Sequence, residues 1–293
     1  MELLPGDTAL ETQVFFQTYV RRGKDQCEFE LSLSAKSHWM LHEHRIGELV
    51  ALPATGFVEL ILAACRLYFH WSMIEVTKLT ICQPLLMQED EEGTLKILFT
   101  GNEDQSTFSV TFSRTGSDVV EHVTGMAKMI TAQIGERMDI ERHIAAYQSV
   151  DFKEQQEEKP GYPETSYQLK FGRRWTDVHR QLWRGEESGI AWLMLAPDFE
   201  EDIKTYAVHP ALLDVAITLL LDSAMLAPFQ FKSIRYYHPL PAQYYCHATL
   251  HPAAGGVETD IIITDRDGNI LLEIEKYYLL EVSENQLTSI TGK

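Results

Sequence analysis

The sequence predicts an α+β chain of two similar halves, with two antiparallel sheets that each wrap round one central helix. Two observations carry this. Residues 54–70 (ATGFVELILAACRLYFH) are apolar nearly all round a helical wheel, with Glu59 and Arg66 on one narrow face, and such a helix must be enclosed by other structure. The same order of elements then recurs: strand-like segments, a proline, an apolar helix and more strands occur once before residue 135 and again after residue 165.

Along the first half, residues 27–33 (CEFELSL) alternate so that Phe29, Leu31 and Leu33 share one side of a strand. The helix at 54–70 follows, and strand candidates at 94–100, 108–112 and 119–130 supply its wrapping. Residues 136–164 are charged and end in EKPGYPE, which reads as a short amphipathic stretch and then a linker. The chain therefore divides into 1–135, a linker at 136–164, and 165–293. In the second half, strand candidates at 181–183 and 189–195 lead to His209 and Pro210, and a proline suits the first turn of a helix, here 211–225. Strands at 231–237, 245–250, 257–264 and 270–282 complete it, with Asp267 and Gly268 offering a tight hairpin turn.

At 293 residues and 45% hydrophobic content, the chain has enough apolar matter for one large core or two fused ones. Its 25 basic and 43 acidic residues leave a net charge of −18, which repels a polyanion over most of the surface and argues against nucleic acid. Cys27, Cys65, Cys82 and Cys246 are scattered, with neither a disulfide framework nor zinc-ligand spacing. The first residues lack the pattern required for export, and no apolar run reaches membrane-spanning length, so a cytoplasmic protein without a membrane partner is expected.

Two segments carry chemistry. In EHRIGELVALPATG (residues 43–56), His44 precedes Pro53 by nine positions, and Pro53 opens the buried helix. The first N–H groups of that helix, near Ala54, Thr55 and Gly56, are free to hold an oxygen, while His44 can act as a base. That combination suits enolate chemistry. In HPALLDVAIT (residues 209–218), Asp214, Thr218 and Asp222 fall at i, i+4 and i+8 and form one polar stripe on an apolar cylinder. Partial desolvation there raises the aspartate's pKa and favours proton donation at neutral pH. The two side chains are expected to meet across a shared apolar channel.

The first segment resembles the HxxxGxxxxP signature of dehydratase domains from modular polyketide synthases, a double-hotdog family, and the second resembles their HPALLD motif. Glu48 stands where the family usually has its glycine, with Gly47 one place earlier, and Ala54 replaces the glycine after the proline. Phe171-Gly172-Arg173-Arg174-Trp175 occupies the place of the family's Tyr-Gly-Pro-x-Phe, and Thr218 that of a Gln or His. Shorter likenesses lie at Leu3-Leu4, at 83–86 (QPLL), at 121–125 (EHVTG) and at 239–241 (PLP), so the resemblance spans essentially the whole chain.

The resemblance implies a double hotdog in which His44 is the base and Asp214 the acid for removing water from a β-hydroxyacyl thioester. Pro53, Ala54, Thr55, Gly56, Phe171, Gly172 and Thr218 would bind substrate. It also implies a homodimer, no cofactor of the domain's own, and partnership with neighbouring synthase domains and an acyl carrier protein whose phosphopantetheine arm brings the substrate. Shifting a double bond, closing an oxygen ring, or holding the carrier protein without catalysis are the alternatives. Arg173, Arg174 and Arg180, with Lys170 and Arg184, form a basic island in an acidic chain; it reads either as a solvated face or as a docking patch for the arm or for the acidic carrier. His38, His42 and His44 invite a metal reading, but Trp39 and Leu41 alternate with polar residues as in a strand, and no metal site is expected.

Overall fold

Apolar alternation in the sequence becomes strand pleating in the computed structural model, which describes residues 16, 18–21, 25–102, 104–131, 137–150, 169–221 and 226–283. The first half supplies β1 (Thr18–Arg21), β2 (Gln26–Ser34), β3 (His44–Ile46), β4 (Leu49–Ala51), β5 (Ile74–Ile81), β6 (Leu86–Met87), β7 (Glu92–Gly101), β8 (Gln105–Arg114) and β9 (Val120–Met129). Its helices are the single turn α1 (Trp39–His42) and the long α2 (Ala54–Tyr68). Next come α3 (Ile140–Ala145), β10 (Gln148–Val150), β11 (Leu169–Phe171), α4 (Arg173–Thr176), β12 (His179–Arg184) and β13 (Ser188–Met194). A 3-10 segment (Pro197–Lys204) leads to α5 (Pro210–Ile217), and β14 (Leu226–Tyr236), β15 (Gln243–Ala253), β16 (Gly256–Thr264) and β17 (Ile270–Glu281) finish the fold.

The expected double hotdog is present, with its two sheets joined edge to edge. Strand order runs β1-β2-β7-β8-β9-β5-β14-β17-β16-β15-β13-β12-β10, and the seam is the antiparallel pairing of β5 with β14, for example Val76 opposite Ile234. Phe29, Leu31 and Leu33 of β2 are buried, as their alternation requires. Every residue of α2 from Ala54 to Cys65 is buried, and each large apolar side chain so enclosed contributes roughly 1.5–3 kcal/mol. Among the described residues no helix is long and apolar enough to cross a membrane.

Three expectations need correction. The second hotdog helix ends at Ile217 with Thr218 as its C-cap, so the long polar stripe through Thr218 is not helical; Asp222 lies outside the described residues, as do Leu3 and Leu4. The Thr218 hydroxyl donates at 2.7 Å to the Asp214 backbone oxygen, which also accepts the Thr218 N–H at 3.2 Å, so the residue closes the helix end. Residues 39–42 form a helical turn rather than a strand, because Leu41, His42 and Glu43 donate back to His38 and Trp39 carbonyls. Residues 137–150, read as part of the linker, instead add α3 and β10, and β10 pairs with β12 at the edge of the second half.

Candidate active site

A four-stranded sheet of order β11-β3-β4-β6 builds the first half of the site. β3 and β4 form a hairpin with Arg45 opposite Val50 and Ile46 opposite Leu49, turning at Gly47 (φ 62°) and Glu48. A tight turn of this kind needs the left-handed conformation that glycine adopts without cost, which explains a glycine at 47 rather than 48. The hairpin brings Ala51 back to His44, whose Nδ1 lies 3.0 Å from the Ala51 carbonyl oxygen. A carbonyl only accepts, so Nδ1 carries the hydrogen and Nε2 keeps the lone pair. Burial lowers the His44 pKa below the ordinary 6.5, against the opposing pull of Asp214 and of the Ala51 bond. The ring is therefore neutral and basic at Nε2.

The second half presents Asp214. α5 starts with His209 as its N-cap, whose Nδ1 accepts the Leu212 N–H at 3.3 Å, and with Pro210 in its first turn. Every α5 residue is buried except Asp214, which stays half-buried. Asp214 is thus the one α5 side chain that solvent partly reaches. Burial raises its pKa, while His44, a hydrogen bond from Trp175 and the charge of Arg180 pull the other way.

Chain from the second half also edges the hairpin that carries His44. β11 pairs with β3 so that Phe171 stands opposite His44. The Phe171 and Trp175 rings lie 5.5 and 5.7 Å from the imidazole, and Trp175 Nε1 donates to Asp214 Oδ2 at 3.0 Å. Trp175 thus touches both groups. With one proton shared between imidazole and carboxyl, the alternatives are the ion pair and the neutral pair. Burial penalises both charges and shifts the balance towards neutral His44 and protonated Asp214.

Support comes from carboxylates that the sequence reading did not single out. Glu43, beside His44, accepts the Gly172 N–H at its backbone oxygen (2.7 Å), and its side chain accepts the Arg174 backbone N–H at 2.9 Å and the Arg174 guanidinium. Arg174 also donates to Asp202 Oδ2 at 2.7 Å, and Asp202 lies 3.4 Å from His209 Nε2. Trp39 stacks on His209 (5.0 Å, 17°) and lies under the Arg174 guanidinium. Glu59 of α2, 1% exposed, accepts the N–H groups of Ala207 and Val208 at 3.1 and 2.7 Å, just ahead of α5.

At the start of α2, Pro53, Ala54, Thr55 and Gly56 are all buried. Gly56 N–H turns back onto the Pro53 oxygen at 2.9 Å, which leaves Ala54 and Thr55 as the helix-start donors without an intrahelical acceptor.

The basic island, read as a solvated face or a docking patch, is locally compensated. Arg173 is paired with Asp177 and Asp198 at 2.8 and 2.7 Å, Arg174 is clamped between Glu43 and Asp202, and Arg180, half-buried, points its charge at Asp214 and donates to the Trp175 carbonyl at 3.1 Å. In an acidic chain the guanidiniums find acceptors nearby: the Asp177 and Asp198 partners of Arg173 are exposed, whereas Glu43 and Asp202 on Arg174 are half-buried. Lys170 pairs with Glu48 at 2.9 Å. His38 and His42 have separate settings, at the Ser34 carbonyl and beside Glu89. A cavity of about 380 Å³ lined by Cys27, Tyr68, His70 and Phe99 lies at the far end of α2 from His44.

A family model described as polyketide synthase dehydratase domain matches residues 15–114, and one described as polyketide synthase dehydratase N-terminal domain matches residues 146–289. The chain belongs to the polyketide synthase dehydratase family, the class of hydro-lyases that act on β-hydroxyacyl thioesters. It is similar to polyketide synthase GfsB of Streptomyces halstedii, 26% identical over 68% of this chain and 4% of that protein. It is also similar to a phthioceranic/hydroxyphthioceranic acid synthase of Mycobacterium tuberculosis, 22% identical over 80% of this chain and 11% of that protein. The chain therefore spans a small fraction of the curated relatives it matches. In fold it is similar to the dehydratase domain from the CurJ module of curacin polyketide synthase (TM-score 0.80, 19% identity, 94% of this chain and 99% of that one). An N-terminal dehydratase from the difficidin assembly line is likewise similar (TM-score 0.78, 19% identity, 92% and 98%).

Proposed function

We propose that the chain eliminates water from a β-hydroxyacyl group carried on the phosphopantetheine arm of an acyl carrier protein, with His44, from residues 1–135, as base and Asp214, from residues 165–293, as acid. His44 Nε2 removes the α-proton. The N–H groups of Ala54 and Thr55 polarise the thioester carbonyl, so that negative charge developing there meets a positive helix end. Asp214 protonates the β-hydroxyl, which leaves as water. Phe171, beside His44 and 39% exposed, offers an apolar wall to the acyl chain.

One observation carries the reading: a neutral imidazole with its lone pair on Nε2 and a carboxyl with raised pKa flank the same tryptophan, one from each half. Two of the solved relatives are inactive variants of the CurK dehydratase, one with histidine replaced by phenylalanine and one with aspartate replaced by asparagine. These two proton transfers call for no cofactor. The substrate-bearing carrier, neighbouring synthase domains, a homodimer and a cytoplasmic setting complete the proposal.

The test is incubation with a β-hydroxyacyl carrier protein followed by mass measurement, where elimination removes about 18 Da. Unchanged mass with a moved alkene would assign isomerisation, and an oxygen ring would assign cyclisation. Binding without turnover would assign a scaffold. His44→Ala and Asp214→Asn each abolish turnover with the fold retained; full activity in either variant discards the mechanism.

A further inference from the structure

We infer that Trp175 is the positioning residue of the acid: its indole N–H fixes which oxygen of Asp214 carries the transferable proton and stabilises the carboxylate left behind. This rests on the reading of Asp214 as the acid. An indole N–H is a donor only. At 3.0 Å from Asp214 Oδ2, it meets an oxygen that must accept, so in the protonated carboxyl Oδ2 is the carbonyl oxygen and the hydrogen sits on Oδ1. Among the described residues Trp175 is the donor that reaches this carboxyl, and Oδ1 is left for the substrate hydroxyl.

The nearby alternative is occupied elsewhere. Thr218, one turn along from Asp214, gives its hydroxyl to the Asp214 backbone oxygen at 2.7 Å and not to the carboxyl. Trp175 is itself held firmly: it is 3% exposed, its carbonyl accepts from Arg180 at 3.1 Å, and its ring packs between Phe171 at 6.0 Å and Trp39 at 5.7 Å. A donor so constrained offers the carboxyl a fixed direction. As the proton leaves Oδ1 for the departing hydroxyl, negative charge spreads over both oxygens and the Nε1–H···Oδ2 bond strengthens, an effect larger in the transition state than in the ground state.

Trp175→Phe tests this, since it keeps an aromatic ring and deletes the N–H. Loss of a bond that favours the carboxylate raises the pKa of the acid, so the alkaline limb of the pH–rate profile moves up by about one unit. The maximal kcat falls roughly tenfold or more while KM stays within about twofold. A second readout is the Trp175 indole ¹H–¹⁵N resonance, which follows the titration of the carboxyl in the wild-type protein and loses that step in Asp214→Asn. Trp175→Phe with an unchanged alkaline limb and kcat, or an indole resonance indifferent to Asp214→Asn, overturns the inference. If Asp214→Asn remains fully active, it is the acid assignment that fails, and the two failures are distinct.

Discussion

Glu59 accepts the Val208 N–H at 2.7 Å across the boundary between the halves, so a carboxyl in one hotdog helix fixes the approach to the other. Burial pushes Glu59 up to about 8 from an ordinary 4.5. With a raised pKa, the folded state keeps a proton that the unfolded chain has released; this stabilisation is complete below 4.5 and is lost as pH rises through about 8. Glu59→Gln cannot ionise there and places an amide donor against backbone donors, which costs about 1–3 kcal/mol. Urea midpoints should show the wild-type advantage over Glu59→Gln shrinking between roughly pH 5 and pH 8. Parallel curves refute the assignment.

Arg174 joins the neighbour of His44 to the neighbour of His209 through Glu43 and Asp202. Arg174→Met strands two half-buried carboxylates and lowers unfolding free energy by on the order of 2 kcal/mol, less than a fully buried pair would lose. Arg174→Lys restores the charge but not the planar fork, and recovers only part of that loss. Chemical denaturation of the three proteins gives the ranking, and equal stability of Met and wild type would reject the clamp.

Gly172 has an ordinary extended φ of −83°, so its requirement is space. A Cβ there would sit on the Glu43 side chain, closer than atoms can pack. Gly172→Ala is expected to displace Glu43, disturb the adjoining His44, and reduce kcat/KM roughly tenfold or more. Steady-state kinetics alongside a melting curve decide it; an active, fully stable variant shows that Glu43 moves aside harmlessly.

The rate of elimination should follow a bell in pH. Its acid limb, where His44 takes up a proton, lies below the ordinary histidine value of 6.5. The alkaline limb, where the pair loses its last proton, lies above the ordinary aspartate value of 3.8, because burial raises Asp214. Single-turnover rates across pH check both limbs, and a profile flat from mildly acid to alkaline conditions would remove the pair from proton transfer.

The fold was legible because period-two alternation and an all-apolar helix are local properties: 27–33 sits inside β2, and 54–70 overlaps α2 almost end to end. His44 and Asp214, which the structure brings to the same tryptophan, could be singled out for a similar reason, each standing at a fixed offset from a helix-opening proline. Their supports were not. Nothing local in Trp175, Glu43 or Glu59 announces a partner 39, 131 or about 150 residues away. Trp175, an aromatic beside Phe171 and Gly172, and Glu59, a lone acid in an apolar helix, were the available signals. The pairing of the basic island was not legible, because counting charges along a chain says nothing of the carboxylates that fold onto them.

The seam between β5 and β14 joins the halves through a backbone ladder that side chains reinforce, with Gln230 donating to Thr80 at 2.9 Å and Ser233 and Arg235 donating to Glu75 at 2.9 and 3.1 Å. With the halves joined in this way, a smaller side chain at 171, beside His44, is expected to widen what the proposed reaction accepts more than any change along the seam.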